Sequence, residues 1–168
     1  MDPEALELLR RRSGLSLSRD GVFLHHEAPL ENPRVRRMFH AGLAVRADGE
    51  VTLTVGRQWA YVRCEGVARF ADALSVAEGR LTLRLRGEAL VVCRAPAVAF
   101  GPDGRVCVWP APEEPPVQLG RAAHAQLAEL LVDTAQGPAL PLGDDTIEVR
   151  VLARSPGPAD PLASCLRE

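Results

Sequence analysis

Leu15 and Leu17 alternate with Ser16 and Ser18 ahead of Asp20-Gly21, after which Val22 to Leu24 resume an apolar run. Alternation around Asp-Gly predicts a β-hairpin, because that pair accepts the positive φ angles of a tight turn. The period then changes. Asn32 and Pro33 suit an N-cap and a first helical residue, and Val35, Met38, Phe39 and Gly42 or Leu43 follow at helical spacing. Beyond Asp48-Gly49 the period returns to two. Val51, Leu53 and Val55 alternate with Thr52 and Thr54, and Leu81, Leu83 and Leu85 alternate with polar residues in "RLTLRLRG". Together with "RQWAYVRCEG", "ARFADALSVA", "EALVVCR", "PAVAF" and "RVCVW", these runs predict an antiparallel meander with one solvated side.

Both ends read differently. Pro3, early acids and Arg10 to Arg12 suit a short helix within residues 1–13, ended by Gly14. After the proline-rich connector "PAPEEPP", the stretch "VQLGRAAHAQLAELLVDTAQG" predicts a second main helix, with Leu119, Ala123, Leu127, Leu130 and Leu131 on one stripe and Gly137 as its stop. "PLGDDTIEVRVL" predicts a closing strand, and residues 153–168, rich in Pro, Gly, Ser and Ala, predict a flexible tail.

The chain also repeats itself. Asp20-Gly21 aligns with Asp103-Gly104 and Pro29 with Pro112. With one residue inserted, Arg37 then meets Arg121, and "HAGL" from His40 meets "HAQL" from His124. Each segment reads as turn, strand, proline loop and helix, and neither helix stripe can be buried by its own unit alone. The expected fold is α+β: a mostly antiparallel β-sheet with two main helices in one domain, residues 14–152, built from two related strand–loop–helix halves, about 14–86 and 87–152.

Composition narrows the function. A net charge of −2 argues against a general nucleic-acid footprint. All twenty basic residues are arginine, which fits a GC-rich genome. The first residues lack the apolar stretch of a secretory signal, and no apolar run is long enough for a membrane span. Cys64, Cys93, Cys107 and Cys165 are scattered without metal-ligand spacing, as buried thiols in a reducing compartment would be. A cytoplasmic location is therefore expected.

Candidate chemistry is sparse. His25, His26 and His40, with Glu27 nearby, are the residue types a first-row metal would take. Adjacent strand residues point to opposite faces, however, and no H-x-x-x-H or H-E-x-x-H element is present. There is no nucleophile elbow, and the absence of lysine excludes an ordinary phosphate loop. The paired acids Glu113-Glu114 and Asp144-Asp145 belong to loops. Arg34, Arg36 and Arg37 cluster at a helix start, where an anion is favoured, and Trp59 and Tyr61 alternate on one strand face.

Asp20, Gly21, Phe23, Pro29, Leu30, Phe39, Leu43, Asp48 and Gly49 occur in an order that resembles the bacterial domain-of-unknown-function family 1285. That family's pattern has a charged Asp-Gly turn, an aromatic strand, a proline before a helix carrying phenylalanine, and a second Asp-Gly before further strands. "VRCEG" with Glu65 and "LTLRL" from Leu81 extend the resemblance over residues 14–142. Gly66 stands where the pattern has aspartate, the Pro-Phe that follows is absent, and Leu85-Arg86 stand where it has Thr-Asn. Those are the polar positions best suited to define a ligand site. The resemblance implies a fold with repeated motifs and a role in bacterial signalling or ligand sensing, without a catalytic mechanism.

The expectation is thus a non-enzymatic binding or regulatory module that needs no cofactor and takes a small ligand or a protein partner. Its contacts would be Arg34, Arg37, Trp59 and Tyr61 in a groove between the halves. The alternatives are a small metal-dependent hydrolase using His25, His26 or His40, and a structural subunit that forms a homodimer through an exposed sheet edge.

Overall fold

The computed structural model describes residues 2–166. Helix α1 (Pro3–Arg11) is capped by Asp2, whose carboxylate accepts from the Glu4 N–H at 3.4 Å. It buries no residue of its own. The Arg10 and Arg11 guanidiniums instead lie over the Trp59 and Tyr61 rings, each at 4.1 Å.

The first sheet contains β1 (Leu15–Leu17), β2 (Phe23–His25), β3 (Ala28–Pro29), β4 (Leu43–Val45), β5 (Val51–Val55) and β6 (Gln58–Cys64), in the order β3-β2-β1-β6-β5-β4. Only β1–β6 is parallel. Helix α2 (Pro33–Gly42) lies between β3 and β4 in the chain. The Asn32 side chain accepts from the N–H groups of Arg34 and Val35, at 2.9 and 3.3 Å, which makes it the predicted N-cap.

The second sheet begins with β7 (Arg69–Ala77), β8 (Arg80–Leu85) and β9 (Leu90–Val92). It continues with β10 (Ala97–Phe100), β11 (Val106–Trp109), β12 (Val117–Leu119), helix α3 (Arg121–Leu130), β13 (Val132–Thr134), β14 (Gly137–Leu142) and β15 (Asp145–Val151). The spatial order is β13-β14-β15-β10-β11-β12-β7-β8-β9. Without β7 to β9, this repeats the first sheet strand for strand. The parallel pair β10–β15 matches β1–β6, and α3 falls between β12 and β13 as α2 does between β3 and β4. The fold is α+β with two related halves. Strands β7 to β9 form an insertion between them, joined to the second half by parallel pairing of β7 with β12.

The repeat corrects one expected equivalence. The Asp-Gly turns do correspond, since both close the first hairpin of their half. The helices begin at Pro33 and Arg121, so Val35 and Phe39 match Ala123 and Leu127; Phe39 packs on the first core cluster, and Ala123 and Leu127 lie in the second. His124 therefore matches Arg36, about one helical turn away from His40. The proline-rich connector is longer in the second half and shifts the register.

Two further expectations change. The single helix expected over 117–137 is strand, helix and strand, because Leu131 turns extended at φ −69°, ψ 143° just as Leu43 does at φ −71°, ψ 139°. Gly137 opens a strand there and stops no helix. Residues 153–166, expected as part of a flexible tail, fold back on the core, with Leu162 and Cys165 buried and a 3-10 turn at Leu162–Ser164. Trp109 Nε1 donates to the Asp160 carbonyl at 2.9 Å, which pairs the one polar atom of this fully buried side chain.

One core cluster joins Leu17, Phe23, Leu53 and Val62 of the first sheet to Ala99, Cys107 and Trp109 of the second. The other places Val98, Val106 and Val108 on the opposite face, toward Ala123 and Leu127 of α3. Strand β11 is consequently buried on both faces, which accounts for its unbroken apolar run "VCVW".

Candidate functional site

The inserted strands bring β8 and its turn against α2, and a crevice of about 700 Å³ opens between them. Arg36, Arg37 and His40 line it from α2, Asp72 from β7, and Arg84 with the segment Leu85 to Glu88 from β8 and the turn that follows. Gly21, Val22, Pro33 and Leu90 complete the walls. The close fit depends on Gly87. Its φ is +91°, and a Cβ there would lie 2.6 Å from the Ala41 nitrogen of α2.

Arg86 organises the crevice floor. Its Nε donates to Asp72 Oδ1 at 2.9 Å, and its Nη1 donates to the Asp20 and Gly21 carbonyls at 3.1 and 3.5 Å. The guanidinium lies 5.0 Å from the Phe70 ring centroid. Beside it, His40 Nε2–H donates to the Gly21 carbonyl at 3.1 Å, with the Phe23 ring 4.8 Å away. Burial, and then the Arg86 charge, push the imidazole down to about 4 from its ordinary 6.5, so His40 is neutral at pH 7. It acts there as a packed donor.

Charge in the crevice is unbalanced. Arg86 is neutralised by Asp72, and Arg37 pairs with Glu88 at 3.3 Å in an exposed contact. Arg36 and Arg84 form no ion pair among the described residues. Four guanidiniums against two carboxylates leave an excess of about two positive charges, with His40 uncharged. A second crevice of about 810 Å³, between β9, β14 and β15, carries Arg80, Arg94 and Asp145, and its Arg94 is already held by Glu113 and Glu114. The α2–β8 crevice is therefore the better anion site.

The expected contacts are not all together. Arg37 lines the crevice, whereas Arg34 is exposed on α2 outside its lining. Trp59 and Tyr61 lie on β6 beneath the arginines of α1, with ring centroids 5.3 Å apart, and take no part in the crevice. Arg84 and Asp72 escaped the sequence reading, and Arg86 entered it only as a departure from the resembled pattern.

His25 and His26 have ring centroids 4.3 Å apart because His26 leaves the strand with φ 48°, in a two-residue turn with Glu27. The expected opposition of adjacent strand residues therefore does not apply to them. His40 is tied up at Gly21. Among the described residues, no three of His, Cys, Asp and Glu are grouped to hold a metal ion. Burial raises the Cys64 and Cys107 thiols to about 12 and Cys93 to about 11, so these sulfurs stay protonated and poorly nucleophilic.

Fold and crevice together describe a duplicated α+β domain with an arginine-lined groove where the inserted strands meet the first half. The same fold occurs in known structures. A DUF1285 family protein from Silicibacter pomeroyi DSS-3 superposes with a TM-score of 0.61 at 17% identity, over 80% of this chain and 78% of that one. A DUF1285 family protein from Shewanella baltica OS155 gives 0.50 at 14% identity, over 70% and 91%. The resemblance read from the sequence is thus shown at the level of the fold. No family model matches the chain, and no curated protein matches it significantly. Among the described residues, no helix is long and apolar enough to cross a membrane.

Proposed function

We propose that this chain is a non-enzymatic bacterial module that binds a small anionic ligand in the α2–β8 crevice and serves ligand sensing or signal transduction. The observation that carries this reading is the pair Arg36 and Arg84, two guanidiniums on facing elements with no carboxylate partner among the described residues. A crevice of about 700 Å³ suits a small molecule. The excess positive charge favours a ligand carrying about two negative charges, and Val22 and Leu90 offer it an apolar contact. Arginine forks bind carboxylate or phosphate oxygens in pairs, which gives the site geometric selectivity as well as charge. The protonated thiols and the neutral, occupied His40 support binding over catalysis. Four free cysteines are in keeping with a cytoplasmic setting.

A thermal-shift screen over mono- and dianionic metabolites tests the reading, because a ligand of the folded state must raise its stability. Dianions are expected to raise the Tm in a manner suppressed by salt. No shift with any anion at millimolar concentration would refute it.

A further inference from the structure

Strand β9 lies at an open edge of the second sheet. Each sheet has two edge strands, and three of the four are blunted: β3 ends in Pro29, β4 runs into Arg46, and β13 carries Asp133. Strand β9 instead exposes Leu90 and Val92, at 70% and 54%. Its backbone is half used. Cys93 N–H donates to the Leu81 carbonyl at 2.9 Å, and the Ala89 carbonyl accepts from Leu85 at 2.8 Å, so odd-numbered residues face β8. Val91 opposes Leu83 in that ladder. By the alternation of an antiparallel strand, the N–H and C=O groups of Leu90 and Val92 point outward, without a strand to meet them.

We infer that a second copy of this chain pairs antiparallel with β9 about a two-fold axis at Val91. That register sets Leu90 opposite Val92 of the second copy, so the outward groups of both strands meet in hydrogen-bonded pairs. Beyond the paired strands it brings Glu88, in the turn before β9 at φ 76°, toward Arg94 of the second copy, in the bend after β9, so the segment "EALVVCR" is complementary to itself in charge. The present partners of those two residues, Arg37 for Glu88 and Glu113 and Glu114 for Arg94, form exposed pairs that a new partner can share. The paired strands make one continuous sheet across two copies, with the apolar side chains of Leu90 and Val92 packed across the junction. Leu90 also lines the arginine crevice, so the second copy lies beside its mouth.

Sedimentation equilibrium over a concentration range tests this on the full chain. The mass is expected to rise from the 18.1 kDa monomer toward twice that value. Val92→Pro removes an outward N–H and keeps every bond from β9 to β8, so it should weaken association by about tenfold or more. Glu88→Arg and Arg94→Glu should each weaken self-association, and an equimolar mixture of the two variants should recover it as a heterodimer. The mixing experiment decides the matter even if Val92→Pro perturbs folding. A monomer at every concentration, or a dimer indifferent to Val92→Pro and to the charge reversals, overturns the proposal.

Discussion

Asp20 accepts a hydrogen bond from Arg105 at 2.8 Å, and the same guanidinium reaches Asp103 at 2.6 Å, so one side chain joins the Asp-Gly turns of both halves. The halves are thus tied at equivalent points. The Asp20 side chain is largely exposed, whereas the side chains of Asp103 and Arg105 are mostly covered. Burial pushes the Asp103 carboxyl up, but hydrogen bonds and charge from Arg105 outweigh this and hold it below its usual range. Arg105→Ala should therefore lower unfolding stability by about 1–2 kcal/mol, and Asp20→Ala by less than about 1. Urea unfolding of both variants measures this. Equal losses would place the energy in the exposed Asp20 pair instead.

His40 gives the fold a distinct pH dependence. Its imidazole protonates near 4 in the folded chain and near 6.5 when unfolded, so the unfolded state binds more protons between those values. Its contribution is complete above about pH 6.5 and is lost as pH falls toward 4. The amount is at most roughly 3 kcal/mol, reduced by solvent screening at a ring that is only partly covered. Subtracting the stability profile of His40→Gln from that of the parent should leave a slope confined to this window. An NMR titration of His40 with a midpoint near 6.5 would show the opposite.

Gly87 should tolerate no side chain. Alanine there combines a positive φ with a Cβ 2.6 Å from the Ala41 nitrogen, so the turn or α2 must move. Gly87→Ala is expected to destabilise the fold by about 2–3 kcal/mol and to widen the crevice. Gly104, also at positive φ, has no atom within 4 Å of the added Cβ, and Gly104→Ala serves as the strain-only control at about 1 kcal/mol. Similar losses in the two variants would mean that the contact with α2 gives way freely.

Local chemistry accounts for what the sequence revealed. Asp20-Gly21 and Asp103-Gly104 could be paired because an Asp-Gly turn is specified by its own two residues. The α2 start was equally readable from Asn32 and Pro33. The α3 boundaries were not, since three-residue apolar strands such as Val117–Leu119 and Val132–Thr134 look like extra helical turns until their partners are known. The tail shows the same limit. Its composition reads as loop, and what orders it, the buried Leu162 and Cys165 and the Trp109 N–H that needs the Asp160 carbonyl, lies in distant contacts. The crevice depends on contacts between α2 and a turn far along the chain, so a helix-start cluster disclosed Arg37 while Arg84 and Asp72 stayed hidden among ordinary alternating strand positions.

Arg84 provides the sharpest separation of binding from folding. It is exposed and forms no ion pair among the described residues, so Arg84→Ala should change stability by less than about 0.5 kcal/mol. Loss of its charge-assisted bonds should nevertheless weaken a dianion by about tenfold or more, read by calorimetric titration. Arg86→Ala should behave differently. It strips Asp72 of its partner and frees the Asp20 carbonyl, at a cost of about 2 kcal/mol of folding, and it removes the cation that helps depress His40. The His40 midpoint should therefore rise in Arg86→Ala, while in Arg84→Ala, which keeps that cation and the burial, it should stay near 4. An anion that binds Arg84→Ala as tightly as the parent would remove β8 from the binding surface.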